Sequence, residues 1–164
     1  MNAATKKIDL TINAKMQFSE RYRFADWPNP RIPILAAGVY AVWDAEKLIY
    51  CGMSGRDFKK AQTDQKKKYG LVTRLASHAS GRLSGDQFCV YVANRLVIPT
   101  IQQEELSRFA SGELTLDRLT KMYIHNHFAY QFAVVETSKQ AFELEMKARQ
   151  GAIFGVKPLL NPAS

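Results

Sequence analysis

Residues 47–56 read KLIYCGMSGR, and the tyrosine at their centre, Tyr50, lies ten residues after Tyr40 of a second short run, Gly38-Val39-Tyr40. Both runs are apolar and compact, and Asp44-Ala45-Glu46-Lys47 separates them with turn-prone residues. Residues 38–43 and 48–53 are therefore predicted as two strands of an antiparallel hairpin. A hairpin of this kind presents two phenols, Tyr40 and Tyr50, to one shared site. The rest of the chain decides whether those phenols have partners.

Working outward, residues 70–80 carry Leu71, Leu75 and Ala79 at i, i+4 and i+8, the stripe of an amphipathic helix. Residues 87–97 alternate well enough to predict a strand, and residues 101–109 a helix. Residues 114–128 read as a further helix, with Leu116, Leu119, Tyr123 and His127 towards the core, and residues 129–135 as a strand. Thr137 and Gln140 fit a capping box that opens a helix running to about residue 150, where Gly151 stops it. Upstream, IDLTI (8–12) is a weak strand signal, and the three prolines of FADWPNPRIP (24–33) argue for a loop. The order of elements predicts an α+β domain: a small antiparallel sheet built on the hairpin plus a later strand, flanked by helices. Residues 1–37 read as an N-terminal extension of a domain spanning 38–162.

A chain of 164 residues suits one domain with a real core. Its apolar stretches are too short to span a bilayer, and MNAATKKIDLTINAK has no apolar signal region, so no membrane association is expected. The two cysteines, Cys51 and Cys89, both sit in apolar runs and read as reduced thiols, which places the protein in the cytoplasm. Of the net charge of +8, residues 56–74 carry +5, through Arg56, Lys59, Lys60, Lys66, Lys67, Lys68 and Arg74 against Asp57 and Asp64. A polyanion suits such a cluster, because each neutralised phosphate releases counterions. The plainer reading is a solvated lysine loop.

GVY, YCG, the RLASH segment (Arg74 to His78), a helix bearing Glu145, and Asn161 before Pro162 follow one another in an order that resembles the GIY-YIG nuclease superfamily. Val39 and Cys51 stand where isoleucines are usual. Segments at about 56–69 and 81–128 have the character of inserts, as in the larger restriction-type members. The resemblance implies a metal-dependent endonuclease acting on DNA, with Tyr40 as general base. It also implies roles for Tyr50, Arg74, His78 and Glu145 in catalysis, and Mg²⁺ or Mn²⁺ as cofactor.

The same residues can be weighed by their chemistry. A phenol with its ordinary pKa near 10 is a poor base at neutral pH, and Tyr40 needs a neighbour such as Arg74, His78 or a metal to assist it. Arg74 and His78 lie four apart on one helical face, and the planar fork of Arg74 suits a scissile phosphate. Arg56 competes for that role because it is nearer the YCG run. Glu143 sits in a ladder with Lys139 and Lys147, whereas Glu145 has Ala141, Ala148 and Ala152 around it, so Glu145 is the metal ligand of choice. One carboxylate with phosphate oxygens and waters satisfies Mg²⁺. Arg56, Lys59, Lys60, Lys66, Lys67, Lys68 and Asn161 are the candidate nucleic-acid contacts, Asn161 being equally readable as a turn residue. His125-Asn126-His127 spells HNH, but three consecutive helical residues do not make that metal motif. A non-cleaving nucleic-acid-binding protein on the same fold is the alternative, and a basic loop that contacts protein or RNA a third. Cutting both strands takes a homodimer or two visits by one site.

Overall fold

The structure is a computed structural model and describes residues 17–63 and 68–162. At its centre, β2 (Leu35–Asp44) and β3 (Lys47–Ser54) form the expected hairpin, with Asp44 opposite Lys47 and Ala45 in the turn at a left-handed φ of 48°. On its other side β2 pairs antiparallel with β5 (Phe128–Val135), and β1 (Tyr22–Arg23) extends the sheet beyond β5. The strand order is β1-β5-β2-β3, and β4 (Tyr69–Gly70) adds a short parallel pairing with the start of β2. Among the described residues six α-helices accompany this sheet: α1 (Phe58–Thr63), α2 (Leu71–Ser80), α3 (Gln87–Val92), α4 (Leu106–Ala110), α5 (Leu116–His127) and α6 (Ser138–Arg149). The fold is α+β with a small, mainly antiparallel sheet, as predicted.

Both faces of β2 are covered, so its sequence LAAGVYAVWD is almost continuously apolar instead of alternating. Residues opposite one another across a ladder share a face. Tyr40 lies between Gly52 and Phe132, and Val42 between Tyr50 and Tyr130, all on one face. Leu71 and Leu75 of α2, Phe88 of α3 and Ile124 of α5 join that face in the largest cluster of the core. On the opposite face Ala41, Trp43 and Cys51 pack with Ala148 of α6, and Val39 and Ala133 with Leu144. Each large apolar side chain buried this way contributes about 1.5–3 kcal/mol. Residues 17–37 are part of this construction: β1 forms the sheet edge, and Phe24 and Ile32 are buried in the main cluster. The IDLTI signal lies outside the described residues, as do Lys66 and Lys67.

The predicted strand at 87–97 is a helix. Asp86 caps α3 by accepting from the Cys89 N–H, and the chain continues through a π-helical turn, Ala93–Val97. Phe88, Cys89, Val92, Ala93 and Val97 are buried at i, i+1, i+4, i+5 and i+9, which is a helical face. The β-branched and aromatic residues of FCVYVANRLV favour a strand locally, and burial against α5 and the sheet overrides that preference. The helix expected at 101–109 forms only as a 3₁₀ turn, Gln103–Glu105, and the short α4. In α5 the innermost residues are Thr120 and Ile124; Leu116, Leu119 and Tyr123 flank them, and His127 is exposed and stacks on Tyr123. The helix α6 has the expected capping box between Thr137 and Gln140, and Gly151 follows at a left-handed φ of 85°. No helix of the described residues is long and apolar enough to cross a membrane.

Candidate active site

The glycines of the hairpin make room for the residues facing them. Gly38, Tyr40 and Val42 share a face of β2, and α2 lies over Gly38. A Cβ at Gly38 would meet the Ala133 carbonyl oxygen and come within 2.6 Å of Leu71 Cδ1, so the glycine lets α2 settle onto the sheet. Gly52 stands directly opposite Tyr40, and a Cβ there would collide with the Tyr40 hydroxyl and ring. The glycine of YCG is therefore a notch that houses the Tyr40 phenol. Gly52→Ala should cost about 1–3 kcal/mol, the range for overpacking a filled core. Urea unfolding followed by circular dichroism measures this, and an unchanged midpoint would show that the notch is slack.

From the helix above, α2 presents its buried stripe of Leu71, Leu75 and Ala79 to the core, and His78 is buried beside them at 2% exposure. His78 Nε2 is 2.7 Å from Tyr40 Oη, and His78 Nδ1 is 2.7 Å from Asp86 Oδ2. Ser77 Oγ donates to the same Oδ2 at 2.6 Å, and the Cys89 N–H donates to Oδ1 at 3.2 Å. Phe88 packs on the His78 ring with centroids 4.5 Å apart, and Tyr50 meets it edge-on at 6.1 Å. A Tyr-His-Asp chain thus runs from β2 through α2 to the cap of α3. Sequence reading paired the tyrosines with Arg74 and His78 and missed Asp86. The signal that could have found it was its place as an N-cap residue, hidden once residues 87–97 were read as a strand.

Protonation follows from these distances. Burial by itself raises the Asp86 carboxyl, but hydrogen bonds from His78, Ser77 and the Cys89 N–H outweigh it and hold the pKa down at about 2. Ionised Asp86 only accepts, so His78 donates from Nδ1 and its Nε2 lone pair accepts the Tyr40 proton. Burial lowers the His78 pKa below its ordinary 6.5, with Asp86 opposing, so the imidazole is neutral at pH 7. Burial, then the neighbouring Tyr50, raises the Tyr40 phenol well above 10, while Arg74 pulls against them. A standing phenolate at Tyr40 is therefore disfavoured. Tyr40 becomes a base only by handing its own proton to His78 in the same step. Burial and then Glu145 push Tyr50 up to about 12, which keeps it an O–H donor.

Tyr40 and His78 form the floor of a cavity of about 460 Å³. Tyr50, Arg56, Arg74, Asp86 and Glu145 line the same cavity, which brings the five predicted catalytic residues together with the rival arginine. Arg74 and Arg56 are exposed at its mouth, one turn of α2 separating Arg74 from buried His78. Burial raises the Glu145 carboxyl, and Arg149, Arg56 and Arg74 in turn pull it down. The charge of Arg74 also favours the ionised form of Tyr40 and the neutral form of His78. Lys59, Lys60 and Lys68 are exposed beyond the mouth, on α1 and beside β4.

For a cation, Glu145 offers a half-buried oxygen donor in the cavity. Among the described residues no three His, Cys, Asp or Glu side chains group together as ligands. An ion here would be held by one carboxylate, with substrate oxygens and water completing its shell, and hard cations such as Mg²⁺ accept that arrangement. The site fits such an ion. Asp86 is instead engaged by His78 and Ser77 at Oδ2 and by the Cys89 N–H at Oδ1.

Asn161 sits elsewhere. Its Oδ1 accepts from the Cys51 N–H and its Nδ2 donates to the Cys51 carbonyl, both at 2.8 Å, while Leu159 and Leu160 bond the backbone of Leu48 and Ile49. The closing tract is thereby pinned along β3 directly behind Tyr50. Arg149 donates to the Pro162 carbonyl at 3.2 Å and tightens the same tract. His125 contacts the Ala79 carbonyl at 2.7 Å and ties α5 to α2. Both cysteines are free and buried, and burial pushes their thiols up, so neither is a nucleophile at neutral pH. Compared with protein-family models, with curated proteins and with solved structures, the chain matches none.

Proposed function

We propose that the protein is a metal-dependent endonuclease of the GIY-YIG type that hydrolyses DNA phosphodiester bonds. The observation that carries this reading is the 2.7 Å contact between Tyr40 Oη and a neutral His78 Nε2 at the floor of a cavity with cations at its mouth. In the reaction a water attacks phosphorus, its proton passes to Tyr40 Oη, and the Tyr40 proton passes to His78 Nε2. Arg74 binds the non-bridging oxygens and offsets the charge that builds on them, and Tyr50 donates a hydrogen bond to the same phosphate or the water. Held by Glu145, Mg²⁺ or Mn²⁺ would neutralise charge on the phosphate and ease departure of the leaving oxygen. Arg56, Lys59, Lys60 and Lys68 hold the backbone on either side.

Cleavage of supercoiled plasmid and of labelled single- and double-stranded oligonucleotides in Mg²⁺, Mn²⁺ and EDTA tests the proposal. Cutting in metal and none in EDTA is the expected result. DNA bound at low salt without cutting in any metal would favour the binding-only reading. The two arginines separate in the same assay. Arg74→Ala should lower the single-turnover rate by about 10²–10³-fold, the scale of one lost transition-state donor. Arg56→Ala should chiefly weaken binding and reduce the salt slope by about 1. Equal rate losses in the two variants would mean that they share the phosphate.

A further inference from the structure

Asp86 belongs to the segment between α2 and β5 that resembles an insert, yet it is built into the floor of the cavity. Its side chain is 1% exposed, and it accepts three hydrogen bonds, from His78 Nδ1, Ser77 Oγ and the Cys89 N–H. A single cap interaction does not explain this. An uncharged residue such as asparagine caps a helix as well as aspartate does, so the cap alone gives no reason to bury a carboxylate. The carboxylate does something asparagine cannot. It accepts with both oxygens and never donates, so it leaves the imidazole only one tautomer.

We propose that Asp86 is the positioning residue of this site: by accepting from Nδ1 it fixes His78 with a bare Nε2 that takes the Tyr40 proton. The proposal rests on the nuclease reading and adds to it a group outside the motif order. Without Asp86 the ring can protonate on Nε2 and donate to Tyr40 Oη, which blocks the transfer, or rotate about its own axis. With Asp86 in place, the imidazolium formed during the reaction sits beside an anion and the transfer to it is eased. The other groups facing His78 do not supply this. Tyr40 of β2 and Tyr50 of β3 are neutral phenols, Cys89 of α3 is a neutral thiol, and Arg74 of α2 is a cation that disfavours the imidazolium.

The test is Asp86→Asn, assayed by single-turnover cleavage across pH, by DNA affinity, and by the ¹⁵N spectrum of His78. The cap on Cys89 survives the change, so the variant is expected to fold. Its cleavage rate should fall by about 10²–10⁴-fold, as when a triad carboxylate is replaced by its amide, with DNA affinity unchanged. Loss of the anion also lowers the His78 pKa, so the acid limb of the rate profile should move to lower pH. A purely structural role would not produce that shift. In the wild-type protein the spectrum should show Nδ1 protonated and Nε2 bare, and in the variant a mixture.

A folded Asp86→Asn that cuts within threefold of wild type overturns the proposal. So does a wild-type His78 protonated on Nε2, a result that needs no variant to fold. If wild type cuts nothing but His78 carries its proton on Nδ1 and loses that preference in Asp86→Asn, the nuclease reading fails. The hold of Asp86 on the ring then stands.

Discussion

Tyr40→Phe should cut DNA about 10²–10⁴-fold more slowly than wild type, the range for removing a positioned acid-base group. The prediction is clean because the phenyl ring keeps almost the whole volume of the side chain under α2. Only the hydroxyl is lost, and with it both the acceptor for the water's proton and the donor to His78. A buried His78 Nε2 is left without its partner, at a cost of about 1–3 kcal/mol in stability. Single-turnover rates, with a urea denaturation curve beside them, separate the two effects. DNA affinity should stay near wild type, because Tyr40 is only 2% exposed and is not a binding surface. A folded Tyr40→Phe protein that cuts at the wild-type rate would remove Tyr40 from the chemistry and the proposed mechanism with it.

Glu145→Ala should abolish metal-stimulated cleavage, with a loss of about 10²–10³-fold or more where charge stabilisation is removed. Its stability should move the other way. The Glu145 pKa is raised in the folded protein, so its protonated form is the one that folding favours. Any such contribution is complete below the unfolded pKa and lost as pH rises through the folded one, so at pH 7 the ionised carboxylate burdens the fold. Glu145→Ala should therefore melt no lower than wild type at pH 7 while losing activity. That pattern is expected of a residue kept for function. A matching loss of stability and activity would instead point to a structural glutamate, and activity that persists with full metal dependence would place the ion elsewhere.

Much of this site could be read along the chain. The hairpin was legible because two short apolar runs with a four-residue turn-prone spacer leave few alternatives; its register was not, because a bulge between Val42 and Trp43 shifts the ladder and sets Tyr40 opposite Gly52. The helix of Leu71, Leu75 and Ala79 and the capped helix carrying Glu145 were legible from periodicity and capping chemistry. The choice of Glu145 over Glu143 came from its small neighbours; Ala141 and Ala148 are buried and Ala152 is exposed, and none of the three lines the cavity beside Glu145. Residues 87–97 were misread because local preference for a strand competes with burial that sequence does not display. Losing that helix also hid its cap, Asp86.

Burial is the quantity that separates residues the chain treats alike. Arg74 and His78 are one turn apart on α2, yet the arginine is exposed at the mouth and the histidine is 2% exposed at the floor. In RLASH both adjoin the same apolar stripe of Leu71, Leu75 and Ala79. Asn161 has its amide spent on the backbone of Cys51, far away in sequence.

By itself, then, the sequence determined the fold class, the hairpin and the side-chain types available around its two phenols, because these depend on local spacing and on pattern. Only the tertiary structure decided which of them meet, which are buried and which way a proton can run. Those depend on contacts between β2, α2 and the cap of α3, where low dielectric and fixed hydrogen bonds set the ionisation of Tyr40, His78 and Asp86.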